Sequence, residues 1–282
     1  MKTGVQQIML GTVCKSEAQA LETLKAIKAA GYDSIELNSF MITPTPFMVR
    51  MLTKFAGMPT GEGGSFDWEK LVGESGLKVS SLHIDMGTIK KDPKAAADLA
   101  RKYNAPYIVI TGMYRFDYGS RDAVMGLCND LNEAGKALKE EGISLLYHNH
   151  NCEFLRLENG EFAYECIVNN TDPDYVGFEL DSFWAADAGV NPLELMDLLG
   201  NRMKLYHIND RGSRVSGPVM TPILKSDSME LGAGAMNLDA LVDKAVSYGV
   251  DTIILESHKN WIDKSPIKCI QISGEWLRKK LG

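Results

Sequence analysis

Short apolar runs alternate with amphipathic stretches along all 282 residues of the chain, and this alternation leaves few folds open. The runs fall at 5–10, 34–37, 78–84, 107–111, 143–148, 176–180, 203–208 and 252–255. Runs this short, with little polar alternation, read as strands buried on both faces, as in a parallel sheet covered by helices. The stretches between them have helical periodicity. In 17–30, Leu21, Leu24 and Ile27 share one face, Ser16 stands in the capping position and Gly31 follows as a stop. The same pattern predicts helices over 46–55, 67–75, 93–103, 120–141, 161–169, 192–199, 238–248 and 266–281, with Gly76, Gly142 and Gly200 closing three of them. Eight strand–helix units in a chain of this length predict an α/β protein, a (β/α)8 TIM barrel forming a single domain over 1–282. A doubly wound open sheet is the alternative, but it seldom needs eight regular units, and no GxGxxG follows the first run.

A barrel of this kind carries its active site at the C-terminal ends of its strands. Reading those ends in order gives Glu36, then His83 and Asp85, then Thr111, then His148, His150 and Glu153. Asp181 follows, then His207 and Asp210, then Glu256 and His258. All 5 histidines of the chain fall in this set. Scattered solvated histidines would not collect at strand ends, and five satisfied core histidines on one rim would be a coincidence. Converging imidazoles and carboxylates suit a divalent metal or proton transfer. The segment Tyr147-His148-Asn149-His150-Asn151-Cys152-Glu153-Phe154 is the densest piece, with His148 and His150 on one face of the strand and Asn149 on the other.

Charge and cysteine usage exclude other classes. A net charge of −7 argues against a nucleic acid as main partner, because such binding rests on Lys and Arg neutralising phosphates. The 5 cysteines are odd in number, scattered and without CxxC spacing, which fits reduced thiols and a cytoplasmic location. No run approaches the roughly 18 apolar residues of a membrane span, and MKTGVQQIML has no apolar core or cleavage site of a signal peptide. Cys152 reads as a buried inert thiol rather than a nucleophile. The segment 40–58, with Met41, Phe47, Met48, Met51 and Met58, reads as a lid over the site or as a contact in a homo-oligomer.

The chain resembles the xylose isomerase-like barrel superfamily, in its sugar phosphate isomerase/epimerase branch, which includes tagatose/psicose 3-epimerases and inosose dehydratase. The resemblance rests on Gly31-Tyr32-Asp33-Ser34-Ile35-Glu36-Leu37, on YHNHNCEF, and on Glu179-Leu180-Asp181-Ser182-Phe183-Trp184 followed by Gly189. It rests also on Tyr206-His207-Ile208-Asn209-Asp210, Leu231-Gly232-Ala233-Gly234 and Ile254-Leu255-Glu256. It implies one divalent cation, manganese foremost with Zn2+, Fe2+ or Co2+ also suited, held by Glu, Asp, His and Glu. Asp181, His207 and Glu256 match the last three. His148 takes the position of the first glutamate, a departure that leaves two imidazoles and two carboxylates.

The resemblance further implies an isomerase or epimerase of a sugar, cyclitol or related polyol, with proton transfer next to a metal-polarised carbonyl. Glu256 is then the base, with Glu153, His150 or neutral His148 as second proton carrier. Glu36, His83, Trp184, Asp210 and Arg211 are expected to meet substrate. Trp184 reads equally as barrel packing, and Arg211 as a solvated loop residue. Loss of one family carboxylate favours an alternative that needs a single base: a lyase, either a dehydratase or an eliminase acting on a keto-sugar, an inosose or an oxidised glycoside. A nuclease like endonuclease IV is more distant, since it needs three zinc ions and more ligands. A non-catalytic sugar-binding protein would hold no tight metal.

Overall fold

The computed structural model describes residues 1–44 and 62–282. Eight strands close into a barrel: β1 (Lys2–Gln6), β2 (Ser34–Asn38), β3 (Lys78–His83), β4 (Tyr107–Thr111), β5 (Ser144–His148), β6 (Val176–Asp181), β7 (Met203–Ile208) and β10 (Thr252–Leu255), in the order β1-β10-β7-β6-β5-β4-β3-β2. A separate two-stranded hairpin joins β8 (Asp210–Gly212) to β9 (Asp227–Met229). The β1–β2 pairing and the pairings from β3 through β7 are parallel. Helices lie between the strands, as the alternation in the sequence predicts. Gly31, Gly76, Gly142 and Gly200 all take positive φ where helices end, a conformation that costs glycine nothing.

The chain forms two compact units: 1–79 with 208–243 and 253–282, and 80–207 with 244–252. In the first, Tyr32 is buried and its hydroxyl donates to the Ile270 carbonyl of the helix Pro266–Leu281 at 3.1 Å, tying that helix to the start of β2. In the second, Arg202 donates to the carbonyls of Val168 (2.7 Å) and Val176 (3.0 Å) and to Thr171 Oγ1 (2.8 Å), and lies over the Phe178 ring. One guanidinium thereby holds the entry of β6, the strand that carries Glu179 and Asp181.

Local departures from the expected elements have identifiable causes. The first strand is Lys2–Gln6, not 5–10, because Gln7–Leu10 forms a 3₁₀ turn capped by the Gln6 side chain, which accepts from Ile8 N at 2.6 Å. An apolar run alone does not separate strand from buried helix. Helices Met86–Lys91 and Ser182–Asp187 were not expected; each begins on an aspartate cap, Asp85 and Asp181, directly after a strand. The hairpin β8–β9 falls between the run 203–208 and the helix expected over 238–248, its strands only three residues each. The expected helix 46–55 and most of the lid-like segment 40–58 fall outside the described residues.

Candidate active site

Strand register sets the site. Thr111 pairs with His148 across β4–β5, His148 with Glu179 across β5–β6, and Asp181 with His207 across β6–β7. The β6–β7 register shifts between Phe178 and Glu179, an irregularity of the kind that re-aims side chains next to functional sites. Glu179 and Asp181 are two apart on β6 and so share a face.

Glu179 is fully buried and surrounded by imidazoles. His148 Nδ1 lies 3.0 Å from its Oε2, His83 Nε2 lies 3.3 Å from the same oxygen, and His207 Nε2 lies 3.2 Å from Oε1. Burial pushes the Glu179 carboxyl up, but the charge of His207 and the N–H groups of His148, His207 and His83 outweigh it and hold it well below the usual carboxylate range. His83 is also buried, with Nδ1 2.6 Å from Thr111 Oγ1.

Asp181 divides its two oxygens. Oδ1 accepts from Phe183 N at 2.8 Å and Trp184 N at 3.1 Å, capping the helix Ser182–Asp187. Oδ2 faces His207, 3.9 Å from Nδ1. Asn149 points away from His148 and clamps the Asp181 backbone, donating to its carbonyl at 3.1 Å and accepting from its N–H at 3.0 Å. Sequence reading put Asn149 on the opposite face and gave it no role. The signal was its place between two histidines, where a fully buried amide needs partners.

The loop after β5 is held by Glu153. This buried carboxylate accepts from Tyr147 Oη at 2.9 Å, from His150 N at 2.9 Å and from Cys152 Sγ at 3.2 Å. Tyr147 in turn meets Tyr118 Oη at 2.9 Å, and Tyr118 accepts from Met113 N at 2.8 Å. A Cβ on Gly112 would stand 2.8 Å from Glu153 Oε1, so the network approaches the backbone where only glycine fits. The half-buried His150 ring stands 5.1 Å from His148 and 5.7 Å from Trp184, centroid to centroid. Trp184 is half-buried beside it.

The first unit shows what Asp210 does. Its Oδ1 accepts from Arg211 N (2.8 Å) and Met236 N (3.1 Å), and its Oδ2 from Gly232 N (3.0 Å) and Gly234 N (2.8 Å). The Gly232 and Gly234 amides are thus turned onto a carboxylate of the chain itself, and the Ala233 amide between them donates to the Glu230 carbonyl. A Cβ on Gly234 would lie 2.4 Å from Asp210 Oδ1. Arg211 is half-buried on the same short strand.

Donor atoms of His148, Asp181 and His207 all lie within 4.8 Å of one another, and all three residues are buried. The same holds for His83, Glu179 and His207. Two imidazoles with a carboxylate form a donor set that suits a divalent cation, so the residues present fit the metal that the resemblance implies. Of the residues expected to meet substrate, Glu36 and His83 are buried, whereas Trp184 and Arg211 keep partial exposure.

Comparison with known proteins finds the same fold. A sugar phosphate isomerase/epimerase from Parabacteroides distasonis is 25% identical, with a TM-score of 0.77 over 98% of this chain and 93% of that one. An L-ribulose 3-epimerase is 14% identical (TM-score 0.69, covering 100% and 96%), and the IolI protein with a bound zinc atom is 17% identical (TM-score 0.67, covering 100% and 98%). Among curated proteins none matches the sequence. No described helix is long and apolar enough to cross a membrane. The family model described as the xylose isomerase-like TIM barrel matches residues 24–280, and the chain belongs to that family.

Proposed function

We propose that the protein is a divalent-metal-dependent isomerase or epimerase of a sugar, cyclitol or related polyol. The observation that carries this reading is the buried group His148, Asp181 and His207 on barrel strands β5 to β7, with Glu256 after β10 as the fourth ligand that the resemblance implies. These four would hold the ion, manganese foremost, which when bound polarises a substrate carbonyl. Glu256 takes the proton from the carbon next to that carbonyl, being the carboxylate of the group not already committed to a helix cap. His150 and Trp184 are adjacent and half-buried; in this reading they meet substrate, and His150 returns the proton. Trp184 and Arg211 complete the contacts to a hydroxylated molecule.

A lyase that needs one base, a dehydratase or eliminase on a keto-sugar, is the second reading. Two observations favour it: His148 stands where the family places a carboxylate, and Glu153, a candidate second carrier, already accepts three hydrogen bonds within the protein.

The test measures metal content and solvent exchange of substrate C–H protons in D2O across a panel of keto-sugars and inositol-derived ketones. Wild-type protein should hold about one ion per chain and exchange one proton position. E256Q should lose exchange by about 10²–10⁴-fold while retaining part of its metal. Exchange without net epimer, together with loss of water, assigns the lyase. No metal uptake from added Mn2+ or Zn2+ sinks both readings.

A further inference from the structure

We infer that the β8–β9 hairpin is a strap on the loop that follows β10, and that Arg214 is a positioning residue for Glu256. The Ser257 hydroxyl, fully buried and next to Glu256, donates to Ser228 Oγ at 3.3 Å. Ser228 Oγ donates onward to the Lys259 carbonyl at 2.9 Å. Trp261 Nε1 donates into the same chain at Ser257 Oγ, 3.1 Å away, so each hydroxyl gives one hydrogen and takes one. Asn260 donates from its side chain to the Ser228 carbonyl at 3.1 Å, and its own carbonyl accepts from Arg214 at 3.3 Å. Arg214 also pairs with Glu230, directly after β9, a buried carboxylate whose other oxygen accepts from Ile262 N at 2.6 Å.

These ties hold a backbone that local sequence does not favour. Asn260, Asp263 and Lys264 have φ of 61, 50 and 57°, the left-handed region that suits glycine. Such strain persists only where the surroundings over-determine it, and it gathers at functional sites. What the strap fixes is the approach to Glu256. The Glu256 N–H donates to the Ile208 carbonyl at 3.3 Å, just before the hairpin begins, and the His258 ring on the strapped loop lies 3.6 Å from Glu256 Oε1. Glu256 is thus held on one side by the strand that leads into the hairpin and on the other by a loop that the hairpin ties down. A displacement of about 1 Å in a reacting group costs about 10²-fold in rate. The consequence for Glu256 rests on the proposed function, in which it is the base and the fourth ligand; the strap rests on the bonds alone.

The test is a double-variant cycle on wild type, R214M, E256Q and R214M/E256Q, read as Mn2+ affinity by chelator competition, with folding checked by circular dichroism. R214M removes the guanidinium and keeps an apolar stem. It should weaken Mn2+ binding about 10–100-fold, as the loss of a group that orients a ligand does. In the E256Q background the same change should cost less than about 3-fold, because the carboxylate that it aims is already gone. A role in general stability would lower affinity equally in both backgrounds, and equal losses overturn the inference. So does R214M that binds Mn2+ as wild type does. S228A breaks the hydroxyl chain by deleting a single buried atom, and the same cycle run with it decides the inference should R214M not fold. If E256Q binds Mn2+ as tightly as wild type, the ligand set fails, and the positioning is then decided by C–H exchange at saturating keto-sugar. R214M slower than wild type by about 10²-fold, with KM little changed, upholds it; an unchanged rate overturns it.

Discussion

Replacing Asp210 by alanine separates two roles that sequence reading cannot tell apart. At the C-terminal end of a barrel strand, Asp210 reads as a group that binds substrate. In the structure it accepts four backbone N–H bonds, and three of them come from Gly232, Gly234 and Met236, 22, 24 and 26 residues along the chain. Hydrogen bonds to a charged group contribute about 1.5–3 kcal/mol each. The Arg211 N–H is local and water replaces it readily. The glycine segment is exposed, so solvent recovers part of the rest, and the net loss for D210A is about 3–5 kcal/mol. Unfolding entropy near 2.1 cal/mol/K per residue makes this a fall in melting temperature of about 5–8 °C for a chain of this size. Calorimetry on metal-free protein reads the shift, and hydrogen exchange at the Gly232, Gly234 and Met236 amides reads its origin. Protection at these three amides should be lost. D210A melting within about 1 °C of wild type, with the amides still protected, would refute the anchoring argument. A fall in substrate affinity in that same variant would return Asp210 to the binding role.

G234A should destabilise by the same route, since its Cβ meets Asp210 Oδ1 and the Arg211 carbonyl at 2.4 and 2.6 Å; a loss of about 1–3 kcal/mol is expected, read by denaturant unfolding. D181N should separate cap from ligand: asparagine caps as well as aspartate, so the metal-free melting point should hold while the rise on adding Mn2+ disappears, and an unchanged rise would remove Asp181 from the ligand set. The cysteines should be slow to alkylate at pH about 8, because desolvation pushes Cys14 up to about 11 and Cys128 and Cys269 to about 12, and desolvation with the Glu153 charge pushes Cys152 to about 12; rapid labelling of Cys152 in native protein would contradict the buried-thiol reading.

The parts of the fold legible in the sequence are those set by periodicity. Leu21, Leu24 and Ile27 mark a helix face whatever surrounds them, and buried strands such as Tyr107–Thr111 need apolar residues on both sides. The parts that were not legible depend on partners distant in sequence. Helix Ser182–Asp187 exists because Asp181 caps it, and the same aspartate signals a metal ligand; residue type does not say that one oxygen does each job. Asp210 and Glu153 likewise read as chemistry, yet their oxygens meet N–H and O–H groups of the chain. Glu179 was visible as part of a motif, but its neighbours His83 and His207 are 96 residues upstream and 28 downstream.

His148 is the position where this chain departs from the ligand pattern that its resemblance implies, and Glu179 explains why simple reversion should fail. H148E would restore a glutamate to the family's place. It would also set that carboxylate where an imidazole now stands 3.0 Å from a buried carboxylate, exchanging a hydrogen bond for a repulsion. Two like charges about 4 Å apart at an effective dielectric near 20 repel by about 4 kcal/mol. One of the pair then takes a proton, or the new side chain turns away, and either outcome weakens its bond to the ion. Metal affinity of H148E should therefore fall, not rise. The double variant H148E/E179Q removes the repulsion, keeps one acceptor for His207, and should bind Mn2+ more tightly than H148E alone. Chelator competition on wild type and the three variants completes the cycle, with E179Q as the fourth corner. If H148E binds as tightly as wild type and E179Q adds nothing to it, His148 and Glu179 are not coupled, and His150 becomes the better candidate for the first ligand.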